Sequence, residues 1–380
     1  MYLEEQVHAF FQHLHNNPEI SWKEHKTTQF LCERLSDMGY KIQTFEHCTG
    51  LVAELGSEKP VIAVRADIDA LWQMVEGEYK ANHSCGHDAH MAVVLGVASK
   101  FAMRSFKGTV KFIFQPAEEL GDGALKMIEQ GVMQNVDYLF GLHLRPQNEL
   151  GYLKFSPAIY HGATCSILGK IEGADTHGAR PHLGENAIEL ANSIINMLNT
   201  IHLDPAATYS VKMTTLHAGG INTNIIPGKA EFSLDLRAEN NAVMEELMNK
   251  TQAKLQLANK MTDSTVSFHV NTLLPAAIVD TGAKNIMAQA ILETYGEIAL
   301  ADDVVTTGSD DFHFYTQQLP YIRATMLGVG CDLRPGLHAA NMKFNVDALY
   351  PAMCIIERSI EIALSIKEGG TISDEKWDGH

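Results

Sequence analysis

Along the first part of the chain, segments with apolar residues at helical spacing alternate with short apolar runs typical of strands buried in a sheet. The segments with helical spacing are residues 2–16, 24–38, 88–104 and 122–131. The strand-like segments are residues 40–46, 51–55, 60–66, 109–115 and 137–144. Residues 72–84, which precede the third helix, are predicted to form a short loop. This alternation predicts an α/β domain with helices on both faces of its sheet.

From residue 163 the pattern changes to one in which strands and helices follow the order βαββαβ, the ferredoxin-like arrangement. These strands are predicted at 163–172, 208–217, 229–237 and 265–271, and the helices at 185–200 and 240–258. The α/β pattern then resumes with a helix at 282–295, a strand at 321–329 and a helix at 346–366. We therefore predict that residues 163–273 form a domain inserted into a first domain made of residues 1–162 and 274–380. The polar segment 368–380 is predicted to fray.

The charge of the chain bears on the class of its partners. The 380 residues include 29 Lys and Arg against 46 Asp and Glu, which gives a net charge of −17. This excess of acid argues against nucleic acid or an anionic membrane surface and favours a small molecule. Glu4 and Glu5 stand where a secretory signal would be basic, and six cysteines are scattered without the spacing of a disulfide framework. These features predict a cytoplasmic protein.

Candidate metal ligands occur in four segments, each of which is expected to leave a strand at its carboxyl end. Cys85 and His87 are separated by one glycine before a helix, and Glu118-Glu119 follow the strand 109–115. His143 ends the strand 137–144, and His338 lies in a loop after the strand 321–329. Taken singly, each has a structural explanation as a helix-capping loop, an acidic helix N-terminus or a hydrogen-bonded histidine. Together they offer sulfur, nitrogen and oxygen donors suited to zinc, manganese, cobalt or nickel.

An ordered series of motifs gives the chain a family resemblance. The motifs are Arg65-Ala-Asp67-Ile-Asp69, Cys85-Gly-His87-Asp88-Ala-His90, Gln115-Pro-Ala-Glu118-Glu119 and Gly141-Leu-His143. In this order they resemble the metal-dependent amidohydrolases related to aminoacylase and carboxypeptidase, and within them the branch of hippurate hydrolases and auxin-conjugate (IAA-amino acid) hydrolases. The resemblance implies an α/β catalytic domain of the zinc-exopeptidase type that holds two divalent ions. It also implies that the inserted ferredoxin-like domain is a lid that mediates homodimerisation.

The resemblance also implies roles for individual residues. Cys85, His87, Glu119, His143 and His338 match the metal ligands, and Glu118 matches the general base. Asp67 is expected to orient a ligand imidazole. In the inserted domain, His177 matches a residue that stabilises the oxyanion in the partner subunit's site, and Asn224 and Arg237 match groups that hold the substrate's carbonyl region and carboxylate. Arg65 stands where the wider family has a histidine ligand, so it cannot ligate.

These observations lead to one expected function and two alternatives. The expectation is a metal-dependent amidohydrolase that cleaves the amide bond of a small N-acyl amino acid, with two divalent ions per subunit. A metallo-dipeptidase or carboxypeptidase is the enzymatic alternative, and a non-catalytic metal- or ligand-sensing module is the alternative of another class. Glu118 argues against the sensor, because binding alone needs no base beside a ligand. Trp72 and the segment 309–312 depart from the family pattern near the expected acyl pocket, which leaves the acyl group open.

Overall fold

The computed structural model describes residues 3–366, so the segment 368–380 lies outside the described residues. The chain divides into two compact units. The larger unit comprises the described parts of Met1–Tyr160, Ile278–Val305 and Asp311–His380, and the smaller unit comprises His161–Ala277 and Thr306–Asp310. Among the described residues, no helix has both the length and the apolar character needed to cross a bilayer.

The helices appear where helical spacing predicts them, with ends displaced by a few residues. They are α1 (Leu3–His15), α2 (His25–Asp37), α3 (His87–Ala102), α4 (Gly123–Glu129), α5 (Ala187–Leu198), α6 (Asn241–Lys260), α7 (Thr281–Tyr295), α8 (His313–Gln318) and α9 (Leu349–Ser365). Short 3-10 helices span Glu118–Leu120, Pro181–Leu183 and Val346–Ala348. The short helix α8 is an addition to the predicted set.

The strands include every predicted one and several short additions. They are β1 (Lys41–Thr44), β2 (Leu51–Gly56), β3 (Val61–Asp67), β4 (Leu71–Val75), β5 (Glu78–Asn82), β6 (Thr109–Gln115), β7 (Tyr138–Pro146), β8 (Phe155–Ser156), β9 (Ile159–His161), β10 (Ala163–Glu172), β11 (Thr176–His177), β12 (Tyr209–Ala218), β13 (Ile225–Ile226), β14 (Lys229–Ala238), β15 (Thr265–Leu274), β16 (Val304–Thr306) and β17 (Arg323–Leu333). Two-residue and three-residue strands carry too short a pattern for sequence periodicity to show.

The larger unit is built on a seven-stranded sheet in the order β1-β2-β6-β3-β7-β17-β8. Its four central strands, β6, β3, β7 and β17, run parallel. Every residue of β3, β6 and β7 is buried, as their continuous apolar runs predict. Helix α3 packs against α1, α9 and β3 and is buried from His87 to Ser99. Because the central strands are parallel, their carboxyl ends meet at one edge of the sheet.

The smaller unit is an antiparallel sheet in the order β12-β14-β10-β15, against which α5 and α6 pack. Its chain order, β10-α5-β12-β14-α6-β15, confirms the predicted βαββαβ arrangement. Along β14, Phe232, Leu234 and Leu236 are buried, whereas the residues between them are partly exposed. This alternation places the apolar face of the sheet in the core of the unit.

The prediction of a loop over residues 72–84 is wrong, because most of that segment forms a β-hairpin. Strands β4 and β5 pair antiparallel from Leu71–Asn82 to Val75–Glu78. Glu76 and Gly77 both have positive φ, 54° and 90°, as a two-residue hairpin turn of the primed type requires. The apolar side chains of the hairpin do not enter the core, since Trp72 is 59% exposed and Tyr79 is 61% exposed. The sequence of the hairpin therefore lacks the pattern of buried apolar residues that would have predicted two strands.

Candidate active site and metal centre

Three segments that carry candidate ligands leave the carboxyl ends of the parallel strands β6, β7 and β17. Glu118 and Glu119 form the start of the 3-10 helix that follows β6. His143 lies near the end of β7, and His338 follows β17 by a short loop. This edge of an open α/β sheet is where ligands bind, because the loops after each strand converge there.

Cys85 and His87 enter the same region from the turn that begins α3. The residue between them, Gly86, has φ of 88° and is the N-cap position of the helix. A Cβ at Gly86 would lie 2.8 Å from the Cδ1 atom of Leu144, so only glycine fits this turn. The prediction that Asp88 begins the helix is therefore wrong by one residue, since His87 is the first helical residue.

The first group of candidate ligands is Cys85, His87 and His143. Their ligand atoms all lie within 4.8 Å of one another, and all three side chains are buried. The Nδ1 atom of His87 is 3.0 Å from the carbonyl oxygen of Asp69, and that of His143 is 2.7 Å from the carbonyl oxygen of Leu144. A carbonyl only accepts, so each Nδ1 carries the proton. Both Nε2 atoms therefore remain available as ligands.

The second group is Cys85, Glu119 and His338, again within 4.8 Å of one another. The Nε2 atom of His338 lies 3.4 Å from Oε2 of Glu119. The backbone N–H of His338 donates to the carbonyl of Ser84 at 2.7 Å, which fixes this loop beside the Cys85 turn. Cys85 thus belongs to both groups, and its thiol and the distant imidazole of His338 meet at one site.

Glu118 lies beside both groups. Its Oε2 atom is 3.8 Å from Nε2 of His87, and Oε1 of Glu119 is 3.9 Å from the same nitrogen. These three side chains form a further cluster within 4.8 Å. A second carboxylate next to the ligand positions can move a proton without itself being needed for coordination.

The polar atoms at this site fit a pair of divalent cations. Nε2 of His87 and Oε1 of Glu119 are buried and have no hydrogen-bond partner within residues 3–366. Burial and the Glu119 carboxylate raise the pKa of the Cys85 thiol well above its usual value. Burial alone would lower the pKa of His87, but Asp67 and Cys85 outweigh it and raise that pKa. Cations would replace these protons, because metal ligands must be deprotonated.

Asp67 is buried at this edge, and its carboxylate accepts hydrogen bonds from residues that are not predicted ligands. Its Oδ1 accepts from Nδ1 of His90 at 2.7 Å, and its Oδ2 accepts from Arg65 at 2.6 Å. Its Oδ2 is 3.7 Å from Nε2 of His87. The carboxylate that reaches Nδ1 of His87 belongs to Asp69, at 3.2 Å. Asp69 lies two residues beyond Asp67 in the same motif. That spacing could have identified Asp69 from the sequence as a second carboxylate at this site.

His90 is a site residue to which the sequence pattern assigned no role. Its Nδ1 donates to Asp67, and its Nε2 accepts the backbone N–H of Leu144 at 3.1 Å. The imidazole therefore connects α3 to the strand β7 at the residue after His143. Its position three residues after His87, on the same face of the helix, was the signal that could have identified it.

Arg65 is held in a buried network of oxygen acceptors. Its guanidinium donates to Gln115 at 2.9 Å, to Asp67 at 2.6 Å and to Asp311 at 2.7 Å. Asp311 also accepts from the backbone N–H of Ala124 at 2.8 Å. Asp311, expected near the acyl pocket, thus belongs to this network. The cation at position 65 pairs with carboxylates rather than occupying a ligand position.

The predicted substrate-binding residues lie in the smaller unit. His177 in β11 and Asn224, directly before β13, are exposed neighbours, and Gly178 N–H donates to the Asn224 carbonyl at 2.7 Å. Arg237 lies on β14, where its Nε donates to Asp235 at 3.0 Å and its Nη1 to Thr164 at 2.8 Å. The predicted ligands, Glu118 and Asp67 come together in the larger unit, whereas these three residues belong to the other.

Comparison with known proteins places the chain in a family. Residues 63–362 match the profile described as "Peptidase family M20/M25/M40". The chain is 28% identical over 386 residues to N-acetyl-L-cysteine deacetylase of Bacillus subtilis, an alignment that covers 98% of this chain and 91% of that protein. It is 31% identical to IAA-amino acid hydrolase ILR1-like 4 of Arabidopsis thaliana, which covers 81% of this chain and 73% of that protein.

A solved structure agrees with this placement. The Bacillus subtilis YXEP protein, described as a dinuclear metal binding peptidase from the M20 family, superposes with a TM-score of 0.80 and 25% identity. The match covers 95% of this chain and 98% of that one. The resemblance and the α/β fold predicted from the motifs are thereby confirmed. The chain belongs to the peptidase family M20/M25/M40.

Proposed function

We propose that this protein is a metal-dependent amidohydrolase that cleaves the amide bond of N-acyl amino acids. The observation that carries the proposal is the position of Glu118 beside two ligand groups that share Cys85. Named relatives that act on acylated amino acids support this substrate class, among them the N-acetyl-L-cysteine deacetylase and the IAA-amino acid hydrolase. The products are a carboxylic acid and a free amino acid.

The ligands proposed for the two cations are Cys85, His87, Glu119, His143 and His338. Sulfur, imidazole and carboxylate donors in one site suit zinc, manganese, cobalt or nickel, and the thiolate favours the softer of these ions. When bound, such cations supply an acidified water and a polarised carbonyl. The buried, unpartnered Nε2 of His87 and Oε1 of Glu119 support this assignment.

The chain's own residues carry the proton transfer. Glu118 accepts the proton of the attacking water and delivers it to the amide nitrogen as the carbon–nitrogen bond breaks. Asp69 holds the proton on Nδ1 of His87, and His90 with Asp67 holds the end of β7 beside His143. These contacts keep the Nε2 atoms of His87 and His143 directed toward Cys85.

In the smaller unit we propose that residues 163–273 act as a lid and homodimerisation domain. His177 would stabilise the developing oxyanion in the partner subunit's site, and Asn224 would hold the substrate's carbonyl region. Arg237 would bind the carboxylate through its planar fork. Because Asp235 already occupies part of this guanidinium, the substrate carboxylate must compete with it. Sedimentation analysis giving a monomer at micromolar concentration would contradict the dimer.

A cytoplasmic location is part of the proposal, supported by six cysteines that are all unpaired.

A metallo-dipeptidase is the second candidate function, favoured by the peptidase description of the similar solved structure. The amidohydrolase and the dipeptidase differ in their substrates, because the amino group is acylated in the first case and free in the second. The sensing module remains the candidate of another class, and the position of Glu118 beside the ligand groups speaks against it, because binding alone needs no base there.

The test is a product-detecting screen of acetyl, benzoyl and indole-3-acetyl amino acids and of unblocked dipeptides, each with added zinc, manganese, cobalt or nickel. We expect release of free amino acid from the acylated substrates. In Glu118→Gln we expect turnover to fall by at least about 100-fold, the low end for losing a general base, while metal content and melting temperature persist. Unchanged turnover in Glu118→Gln would remove Glu118 from the mechanism, and a wild type inactive on the whole panel would favour the sensor.

A further inference from the structure

Glu24 is a buried carboxyl group that the proposed chemistry does not use. It stands directly before α2, and its side chain is fully buried. Its Oε1 accepts the backbone N–H of Ala117 at 2.9 Å, and its Oε2 accepts the hydroxyl of Thr49 at 2.5 Å. Glu24 therefore connects the start of α2 to the residue that immediately precedes Glu118.

Ala117 has a backbone conformation that L-amino acids seldom adopt. Its φ is 52° and its ψ is 40°, in the left-handed region. Such a residue persists only where its surroundings hold it, and such residues cluster at functional sites. Here Glu24 holds the N–H, and the carbonyl of Ala117 accepts from Gly123 N–H at 3.3 Å.

The backbone on the other side of Glu118 is held in a similar way. The N–H of Glu119 donates to Oδ2 of Asp69 at 3.1 Å. The amides that flank Glu118 are thus bound by two carboxyl groups from two other parts of the chain, Glu24 and Asp69. This arrangement fixes the direction in which the backbone presents Glu118.

The loop that contains Thr49, a hydrogen-bond partner of Glu24, is closely packed. A Cβ at Gly50, the residue after Thr49, would lie 2.5 Å from the carbonyl oxygen of Phe114 and 2.7 Å from Cδ of Pro116. The loop that carries Thr49 therefore abuts the segment that leads to Ala117. Gly50 N–H also donates to Thr28 in α2 at 2.9 Å.

A carboxyl group is a costly choice for such a position if packing were its only role. Burial raises the pKa of Glu24 to about 7, and a buried ionisable group generally destabilises a fold relative to an apolar one. In either protonation state Oε1 can accept the amide of Ala117. The side chain is therefore suited to holding a backbone amide rather than to filling space.

We propose that Glu24 is a positioning residue that holds Ala117 in its left-handed conformation and so directs the Glu118 carboxylate toward the ligand groups. The inference rests on the proposed function for its kinetic consequence, since it assumes that Glu118 is the base. Its structural part concerns the amide of Ala117 alone. The two parts can be tested separately.

The structural test is hydrogen exchange at the Ala117 amide in metal-free protein. In Glu24→Ala we expect exchange at this amide to accelerate at least about tenfold, because its hydrogen bond is lost. The matched control is Glu19→Ala. The Glu19 carboxylate also accepts a backbone N–H and a hydroxyl, both from Thr27, at 2.8 and 3.0 Å, but these bonds hold α2 rather than the loop. Exchange at Ala117 should be unchanged in the control.

The kinetic test separates kcat from KM. In Glu24→Ala we expect kcat to fall by about 10- to 100-fold with little change in KM, the size of effect that a misdirected catalytic group produces. Glu24→Gln keeps an oxygen acceptor for Ala117 and should recover most of the loss. Glu19→Ala should keep kcat within about twofold, as expected of a substitution outside the reacting groups.

The outcomes distinguish the two proposals. Unchanged exchange at Ala117 in Glu24→Ala overturns the positioning role, even if Glu118→Gln is inactive. Faster exchange with full activity in Glu118→Gln leaves the structural part standing and overturns the assigned base. If Glu24→Ala does not fold, Glu24→Leu removes both acceptor oxygens while keeping a side chain of similar size, and unchanged exchange at Ala117 in that variant overturns the proposal.

Discussion

The Sγ atom of Cys85 lies 3.6 Å from Nε2 of His143. Two ligands bound to one tetrahedral zinc ion at ordinary bond lengths lie about 3.5 Å apart, so the thiol and the imidazole are already at a suitable separation for coordination. The same sulfur belongs to the group with Glu119 and His338. Cys85 is therefore placed to influence both proposed cations.

Replacing Cys85 should change metal preference. In Cys85→Ser we expect affinity for zinc and cobalt to fall by at least about tenfold more than affinity for manganese, because a hydroxyl is a harder ligand than a thiolate. Chelator competition measures the affinities. Cys32→Ser, at a partly buried cysteine in α2, is the control and should change none of them. An equal loss for all three ions would contradict Cys85 as a ligand.

Metal uptake should release protons. Burial and the neighbouring Glu119 raise the pKa of the Cys85 thiol, so this thiol carries its proton in the metal-free protein near pH 7, and Asp67 and Cys85 raise the pKa of His87 against the effect of burial. Zinc affinity should therefore increase with pH. Calorimetry in buffers of different ionisation enthalpy measures the number released. Cys85→Ser should release about one proton fewer, and an identical number would rule out thiolate coordination.

His90 should affect metal binding without being a ligand. Its imidazole connects Asp67 to the backbone of Leu144, next to His143. In His90→Ala we expect metal affinity to fall by about 10- to 100-fold, as for other residues that orient ligands. His47→Ala, at a side chain that is 80% exposed, is the matched control. Equal affinities in both variants would show that this connection is unimportant for the metal centre.

The Glu24 carboxyl should make stability depend on pH with a definite sign. Burial is the main reason its folded pKa rises from 4.5 to about 7. The folded state then binds this proton more tightly than the unfolded state does. The contribution of Glu24 to the free energy of unfolding is therefore fully favourable below pH 4.5 and is lost as pH rises toward 7. At 1.36 kcal/mol per pKa unit the loss is about 3 kcal/mol.

Urea unfolding of metal-free wild type and Glu24→Gln at pH 5 and pH 8 measures this effect. Because glutamine does not titrate, the free energy of unfolding of the wild type relative to the variant should be larger at pH 5 than at pH 8. A difference that is the same at both pH values, or that increases toward pH 8, would mean that the carboxyl is not held in its protonated form by the fold.

Much of the fold could be predicted because its signals are local and repeated. Buried parallel strands such as β3 and β6 appear as continuous apolar runs, and the order of elements in the smaller unit follows from alternating burial. The hairpin of β4 and β5 was missed because its apolar side chains face solvent. The two residues of its turn, Glu76-Gly77, are not enough to predict a hairpin when neither strand has a buried face.

The site could be predicted only as far as its ligand types. Donor residues at strand ends indicate a metal centre, but hydrogen-bond partners depend on the three-dimensional arrangement. Asp67 was expected at a ligand imidazole, whereas its direct hydrogen bonds go to His90 and Arg65. Glu24 lies 93 residues from the amide that it binds, and no spacing in the sequence connects the two.

Arg65 gives this sheet edge a permanent positive charge that chelation cannot remove. Since a guanidinium stays protonated at any pH at which proteins fold, Asp67 and Asp311 keep a counter-charge when the site is stripped of ions. A chain with a histidine at this position would lose that compensation together with its metal. The charge balance of the strand ends around Asp67 therefore rests on a side chain of the protein itself and not on a bound cation alone.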